Sequence, residues 1–154
     1  MTADDESAFA ALGDWSAPGE AAAAHVLLID AERRLLLQLR DDRPGVAHPG
    51  LWCFFGGGVE PGEALRAAAV REVAEETGLT VDAAALTPLA RVLSTWSPAR
   101  RRLFVYAARV DAAPGDLRLS EGAGFAFVTP AQARRLDLIP EFRLVIDRYA
   151  AQAR

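Results

Sequence analysis

The stretch Gly57–Leu79 reads GGVEPGEALRAAAVREVAEETGL. Leu65, Ala69 and Val73 recur at i, i+4 and i+8, which predicts a helix over 63–77 with one buried stripe. Pro61 stands just before it, and Gly78 stands where a left-handed C-terminal cap is wanted. The acidic residues do not fit a plain surface helix. Glu72, Glu75 and Glu76 at i, i+3 and i+4 put three carboxylates on neighbouring positions of one face. A bland helix would dilute them with lysine, and no lysine lies nearby.

Glu63 sits at the helix start, where its charge suits the helix dipole, and Glu60 adds a carboxylate upstream. A hard divalent cation would supply the missing counter-charge, because Mg²⁺ takes oxygen ligands. Arg71 carries a planar fork that can bond a carboxylate at two points, so its expected work is to orient a glutamate from behind. Gly56, Gly57 and Gly58 let the backbone approach a metal or phosphate closely, and the Gly56 carbonyl is a candidate metal ligand.

The full spacing is Gly57, five residues, Glu63, seven residues, then Arg71-Glu72-Val73-Ala74-Glu75-Glu76-Thr77-Gly78-Leu79. Chance agreement at one start site is on the order of 10⁻⁸ or lower. This spacing matches the Nudix box at every defining position, so the chain resembles the Nudix hydrolase family. The resemblance implies an α/β fold, an α/β/α sandwich with a mixed β-sheet. It implies hydrolysis of a nucleoside diphosphate linked to another moiety, with Mg²⁺ or Mn²⁺ as cofactor. Nucleoside triphosphates, oxidised nucleotides and nucleotide sugars are the expected substrates. The family's metal ligands fall on Glu72, Glu75 and Glu76, with Glu76 or Glu75 also a candidate base. Glu63 resembles the box residue that tunes the helix or assists metal binding.

Working outward, residues 1–19 form an N-terminal extension, read either as a short helix carrying Phe9, Leu12 and Trp15 or as a loose tail; residues 20–154 form the Nudix-like domain. Ala21 to Ile29 is a continuous apolar run that predicts a buried strand, and 34–40 predicts its hairpin partner. Leu51 to Phe55 reads as a short strand with the three glycines after it. Segments 86–95, 103–110 and 125–128 read as further strands. Thr129-Pro130 starts a short helix, and 141–151 closes the chain as an amphipathic one.

Outside the box, Arg40 ends the second strand; by the resemblance it meets a phosphate, and otherwise it is a solvated strand end. Glu121 lies in the Gly-rich segment Ser120–Gly124, either solvated or swung inward as a base or extra metal ligand. Trp96 and Trp52 suit stacking on a nucleobase or plain core packing. His48 reads as a surface residue, with a substrate contact as the alternative, His25 as a core or cleft histidine, and Cys53 as a small buried hydrophobe. Arg100, Arg101 and Arg102 read as a solvated turn, with a small-anion site as the alternative. Family signatures for particular substrates are missing: Thr95 stands about 16 residues past the box, where ADP-ribose enzymes resemble one another in a proline, and Trp96 stands where dinucleoside polyphosphate enzymes often have tyrosine. The upstream signature of coenzyme A pyrophosphatases is not seen either.

The 154 residues suit one domain, and 51% apolar content supports one sizeable core. A net charge of −4 argues against nucleic acid as a partner. No stretch reaches the roughly 18 apolar residues of a membrane span. One cysteine and an acidic start without an apolar run make a reducing, cytoplasmic setting the expectation. Assembly state is not legible, although the resemblance makes a homodimer a candidate. Two rivals share the fold: a prenyl-diphosphate isomerase using Cys53 as acid or base, and a non-catalytic nucleotide-binding regulator. The intact box argues against both.

Overall fold

The structure is a computed structural model that describes residues 5–153; the expectations for residues 1–4 and for Arg154 lie outside the described residues. In chain order the elements are β1 (Ala10–Ala11), β2 (Ala22–Ile29), β3 (Leu35–Leu39), β4 (Trp52–Cys53), β5 (Phe55–Gly58), α1 (Leu65–Thr77), β6 (Thr87–Leu93), β7 (Arg102–Arg109), β8 (Gly124–Val128), α2 (Pro130–Ala133) and α3 (Pro140–Gln152). The sheet runs β1-β6-β7-β2-β3-β4, with β5 also on β2 and β8 also on β3. It is mixed, because β2 lies parallel to β7 and β1 parallel to β6, while the other pairs are antiparallel.

The β2–β3 turn shows why the hairpin closes here. The Asp30 carboxylate accepts from the backbone N–H groups of Glu32 and Arg34 and from Arg34 Nε, at 2.8–3.0 Å. β2 is covered on both faces. Ala23, Leu27 and Ile29 pack in one apolar cluster with Phe142, Val145 and Ile146 of α3. Ala24, Val26 and Leu28 pack in another with Ala68, Ala69 and Val73 of α1. A strand buried on both faces has no polar alternation, which is why it reads as a continuous apolar run. Helix, sheet and helix form the expected α/β/α sandwich.

Two local expectations differ from the structure. The segment Leu51 to Phe55 is two short strands rather than one, and the three glycines belong to β5 instead of following it. They pair Gly56 with His25, Gly57 with Ala24 and Gly58 with Ala23. At Gly56, with φ 153°, an added Cβ would meet the Ala24 carbonyl oxygen at 2.3 Å, so the pairing needs the absence of a side chain.

Beyond residue 4 the extension is neither a short helix carrying Phe9, Leu12 and Trp15 nor a loose tail. A 3₁₀ turn at Glu6–Ala8 leads into β1 at the sheet edge. Spacing of three places side chains on one face of a helix but on opposite faces of an extended chain. Accordingly Phe9 packs in the cluster beneath α1 and Leu12 against the cluster beneath α3. Phe9 is 2% exposed and meets Phe104 and Tyr106 edge-on at 5.3 and 5.0 Å. Phe9→Ala should therefore cost about 3 kcal/mol in denaturant unfolding. A loss below about 1 kcal/mol would mean that the extension contributes little to the domain.

Candidate active site

The box helix brings its charges together through one guanidinium. Arg71 Nε and Nη2 donate to the two carboxylate oxygens of Glu63 at 2.8 and 2.9 Å. Nη1 donates to Glu72 at 2.8 Å and to Glu75 at 3.3 Å, and Nη2 also reaches the Gly58 carbonyl at 2.9 Å. The hydrogen bonds from Arg71 hold the Glu63 carboxyl down at about 2. Those to Glu63, then Glu72, hold the Arg71 proton more tightly than usual. Arg71 thus ties the loop before α1, the helix and β5 into one unit.

The glycines of β5 complete that unit. A Cβ on Gly57 would stand 2.6 Å from the Glu72 carboxylate carbon, so Glu72 lies flat against bare backbone. The Gly56 N–H donates to Glu76 at 2.9 Å. Glu76 is 3% exposed. Burial pushes its carboxyl up to about 8; the Gly56 N–H opposes this, and the Glu121 and Glu72 charges add to it.

Glu121 reaches Glu76 because its loop docks on the end of α1. The Arg118 N–H donates to the Thr77 carbonyl at 2.8 Å, and the Ser120 hydroxyl to the Glu75 carbonyl at 2.7 Å. Gln38 of β3 holds the Glu121 carbonyl at 2.9 Å. Gly122 has φ 92°, and a Cβ there would lie 2.5 Å from Gln38 Nε2, so both conformation and space require glycine.

A cleft of about 560 Å³ opens over these residues. Glu72 and Glu121 border one side, and Arg40 and Arg101 also line it. His25 lies on its floor with its ring edge-on to Phe142 at 5.0 Å. Burial, then Arg101 and Arg40, pushes the imidazole down to about 3, so His25 is neutral at pH 7. At the mouth, His48 and Trp96 meet with ring centroids 4.6 Å apart, and Trp96 is 53% exposed. The Trp96 loop is anchored by Glu141, which accepts from the Thr95 N–H at 2.8 Å and from the Thr95 hydroxyl. Arg40 is held by donation to the Ala47 carbonyl. Cys53 lines the cleft but is 2% exposed, and burial pushes its thiol up to about 12. A thiol so held carries no thiolate at neutral pH, which weighs against the isomerase rival's use of Cys53 as a base.

The sequence matches the profile described as NUDIX domain over residues 19–149. The chain belongs to the Nudix family. Among curated Nudix relatives, the nucleoside triphosphatase NudI of Escherichia coli O1:K1 / APEC is 48% identical over 54 residues. That stretch covers 35% of this chain and 37% of the relative, so the match spans about a third of the curated protein's length. Among solved structures, the MutT protein from Methanosarcina mazei Go1 superposes with a TM-score of 0.75 at 23% identity, covering 92% of this chain and 99% of that one. A C. elegans Ap4A hydrolase gives 0.68 at 22% identity, covering 85% and 97%. At these identities the two structures establish a shared Nudix fold.

The Nudix residues singled out in the sequence separate into two sets. Glu72, Glu76, Glu121, Arg40, Trp96 and Gly56 border or directly adjoin the cleft. Glu63 and Glu75 do not line it; Arg71 engages both, and the Glu75 side chain is 58% exposed. Trp52 packs against the core beneath α3. Among the described residues, no three acidic, histidine or cysteine side chains already converge as a metal cage. A hard cation fits Glu72 and Glu76 by donor chemistry: both present carboxylate oxygen beside side-chain-free backbone. Three residues read from the sequence only as weaker alternatives also line the cleft: His25, His48 and Arg101. Arg101 stands immediately before β7, inside the arginine run whose alternative reading was a small-anion site.

The raised Glu76 carboxyl sets a pH dependence. Without divalent cation, its full contribution is present below about 4.5 and stability falls as pH rises toward 8, since the unfolded chain ionises more readily. Glu76→Gln should therefore be more stable than the parent at pH 8 in a chelator, by on the order of 2–4 kcal/mol, with the gap closing near pH 4.5. Equal unfolding midpoints at both pH values would show that Glu76 is not held in this environment.

Proposed function

We propose that this Nudix chain is a divalent-metal-dependent pyrophosphohydrolase acting on a nucleoside diphosphate linked to another moiety. The observation that carries it is the placement of Glu72 and Glu121 in a cleft that Arg40 also lines, with Glu76 adjoining it through the Gly56 N–H of β5. The partner is a small nucleotide-like diphosphate in a reducing cytoplasm, and the acidic net charge agrees with a substrate other than nucleic acid. The name of the relative NudI makes nucleoside triphosphates the first class to assay, ahead of oxidised nucleotides and nucleotide sugars.

Glu72 and Glu76, with the Gly56 carbonyl, are the residues that would hold Mg²⁺ or Mn²⁺. A cation there polarises phosphoryl oxygens and neutralises charge that develops on them. Arg71 keeps Glu72 turned toward the cleft and withdraws Glu63 and Glu75 from it. Glu121, on a loop docked to α1, takes the proton of the attacking water. Arg40 steadies a phosphate that does not react. Trp96 offers an exposed ring face to a base.

The test is hydrolysis of a panel of nucleoside triphosphates and nucleoside diphosphate derivatives with Mg²⁺, comparing variants on the best substrate. Glu121→Gln should lower kcat by about 10²–10⁴-fold, the usual contribution of a positioned base. Glu75→Gln should stay within about threefold of the parent, because that carboxylate lies outside the cleft. The roles are reversed if Glu75→Gln is the inactive variant and Glu121→Gln the active one. No turnover of any diphosphate by the parent protein would leave the family's fold without this activity.

A further inference from the structure

The three consecutive arginines look alike in the sequence and differ in the structure. Arg100 donates to the Asp14 carbonyl at 3.0 Å and stands 3.7 Å from the Asp14 carboxylate. Arg102 donates to the Glu6 carboxylate and to the carbonyls of Gly19 and Glu20. Both tie the extension to the start of β7. The Arg101 side chain has no hydrogen bond or ion pair with any described residue. It lines the cleft instead.

Its position is specific. A Cβ on Gly58 would lie 2.8 Å from Arg101 Nη2, whereas one on Gly57 would lie 2.6 Å from the Glu72 carboxylate. Successive positions of one strand face opposite sides. The glycine ribbon of β5 therefore separates an acidic side, with Glu72, from a basic side, with Arg101. Arg40 lines the same cleft, and both guanidiniums disfavour a charge on the His25 imidazole. Two guanidiniums thus share one cleft, and Arg101 has no ion-pair partner among the described residues to offset its charge. Such an arrangement suits a bound anion that neutralises both.

We propose that Arg101, working with Arg40 in the same cleft, is a phosphate-anchoring residue that holds the polyphosphate of the substrate on its side of the ribbon. The assignment rests on the diphosphate reading of the cleft and adds to it a residue that sets affinity. A fork on this side grips phosphate oxygens while the bond to be broken lies over Glu72 and Glu121. Arg101 then contributes to binding in the ground state and transition state alike, and its loss is felt in KM more than in kcat.

Arg101 is exposed, so its replacement leaves the core untouched. The experiment titrates inorganic diphosphate and a nucleoside diphosphate calorimetrically, in chelator to prevent turnover. It compares the parent chain, Arg101→Ala, Arg101→Lys and the remote charge control Arg109→Ala. Arg101→Ala should weaken both ligands by roughly tenfold or more, with partial recovery in Arg101→Lys and a change within about twofold in Arg109→Ala. In turnover, Arg101→Ala should raise KM by a similar factor with kcat within about threefold. Parent-like binding and KM in Arg101→Ala would overturn the anchor while leaving hydrolysis standing. A loss confined to the nucleoside diphosphate would assign Arg101 to the nucleoside and overturn the phosphate role. An equal loss in Arg109→Ala would reduce the effect to general charge. Failure of the parent to bind either ligand or turn over any diphosphate would remove the anchor and the proposed function together.

Discussion

The site depends on one guanidinium. Two like charges about 6 Å apart repel by roughly 3 kcal/mol at an effective dielectric near 20. Glu72, Glu75 and Glu76 on one face of α1, with Glu63 close by, would therefore destabilise the helix if left to themselves. Arg71 meets three of the four, two-pronged with Glu63 and singly with Glu72 and Glu75, and its remaining capacity goes to the Gly58 carbonyl. The fourth, Glu76, relieves its charge by another route: burial holds its proton, and the Gly56 N–H caps one oxygen. Arg71 thus holds Glu63 and Glu75 outside the cleft lining and Glu72 at it, a division that leaves Glu76 to the backbone of β5. A lysine in place of Arg71 could not reproduce this division, because a single ammonium lacks the fork.

Everything near that clamp is arranged to bring backbone close. β5 carries three glycines because carboxylate, carbonyl and guanidinium occupy the volumes where side chains would stand. The Glu121 loop gains its position through bonds to the last turn of α1 and to Gln38, so the same helix that carries Glu76 also sets the distance to Glu121. The aromatic mouth is supported from the other side of the sheet, where Glu141 at the start of α3 holds Thr95 beside Trp96. Three elements distant in sequence meet at one cleft, and the sheet that joins them is covered on both faces by the apolar sides of helices.

The fold was largely legible because its main signals are local. The 3.6-residue period marked α1, the apolar run marked β2, and Gly78 took the left-handed conformation its position demanded, with φ 76°. The extension was not legible, because Phe9, Leu12 and Trp15 at spacing three suit a helix as a sequence pattern, while parallel pairing with β6 depends on residues some eighty positions away. The box carboxylates were legible as a group through their spacing. Their unequal exposure was not: Glu75, which Arg71 meets, has a side chain 58% exposed, while Glu76, which it does not meet, is buried against β5. Arg101 was hidden among identical neighbours: only the salt bridges of Arg100 and Arg102 to the extension leave it facing the cleft.

The central claim is that Arg71 presets the carboxylates for a divalent cation. Mn²⁺ binding to the parent chain and to Arg71→Lys, followed by electron paramagnetic resonance without substrate, tests it most directly. With the fold intact by circular dichroism, the lysine variant should bind Mn²⁺ about 10–100-fold more weakly, as expected when an orienting partner is lost. Equal affinity in the two proteins would contradict the account.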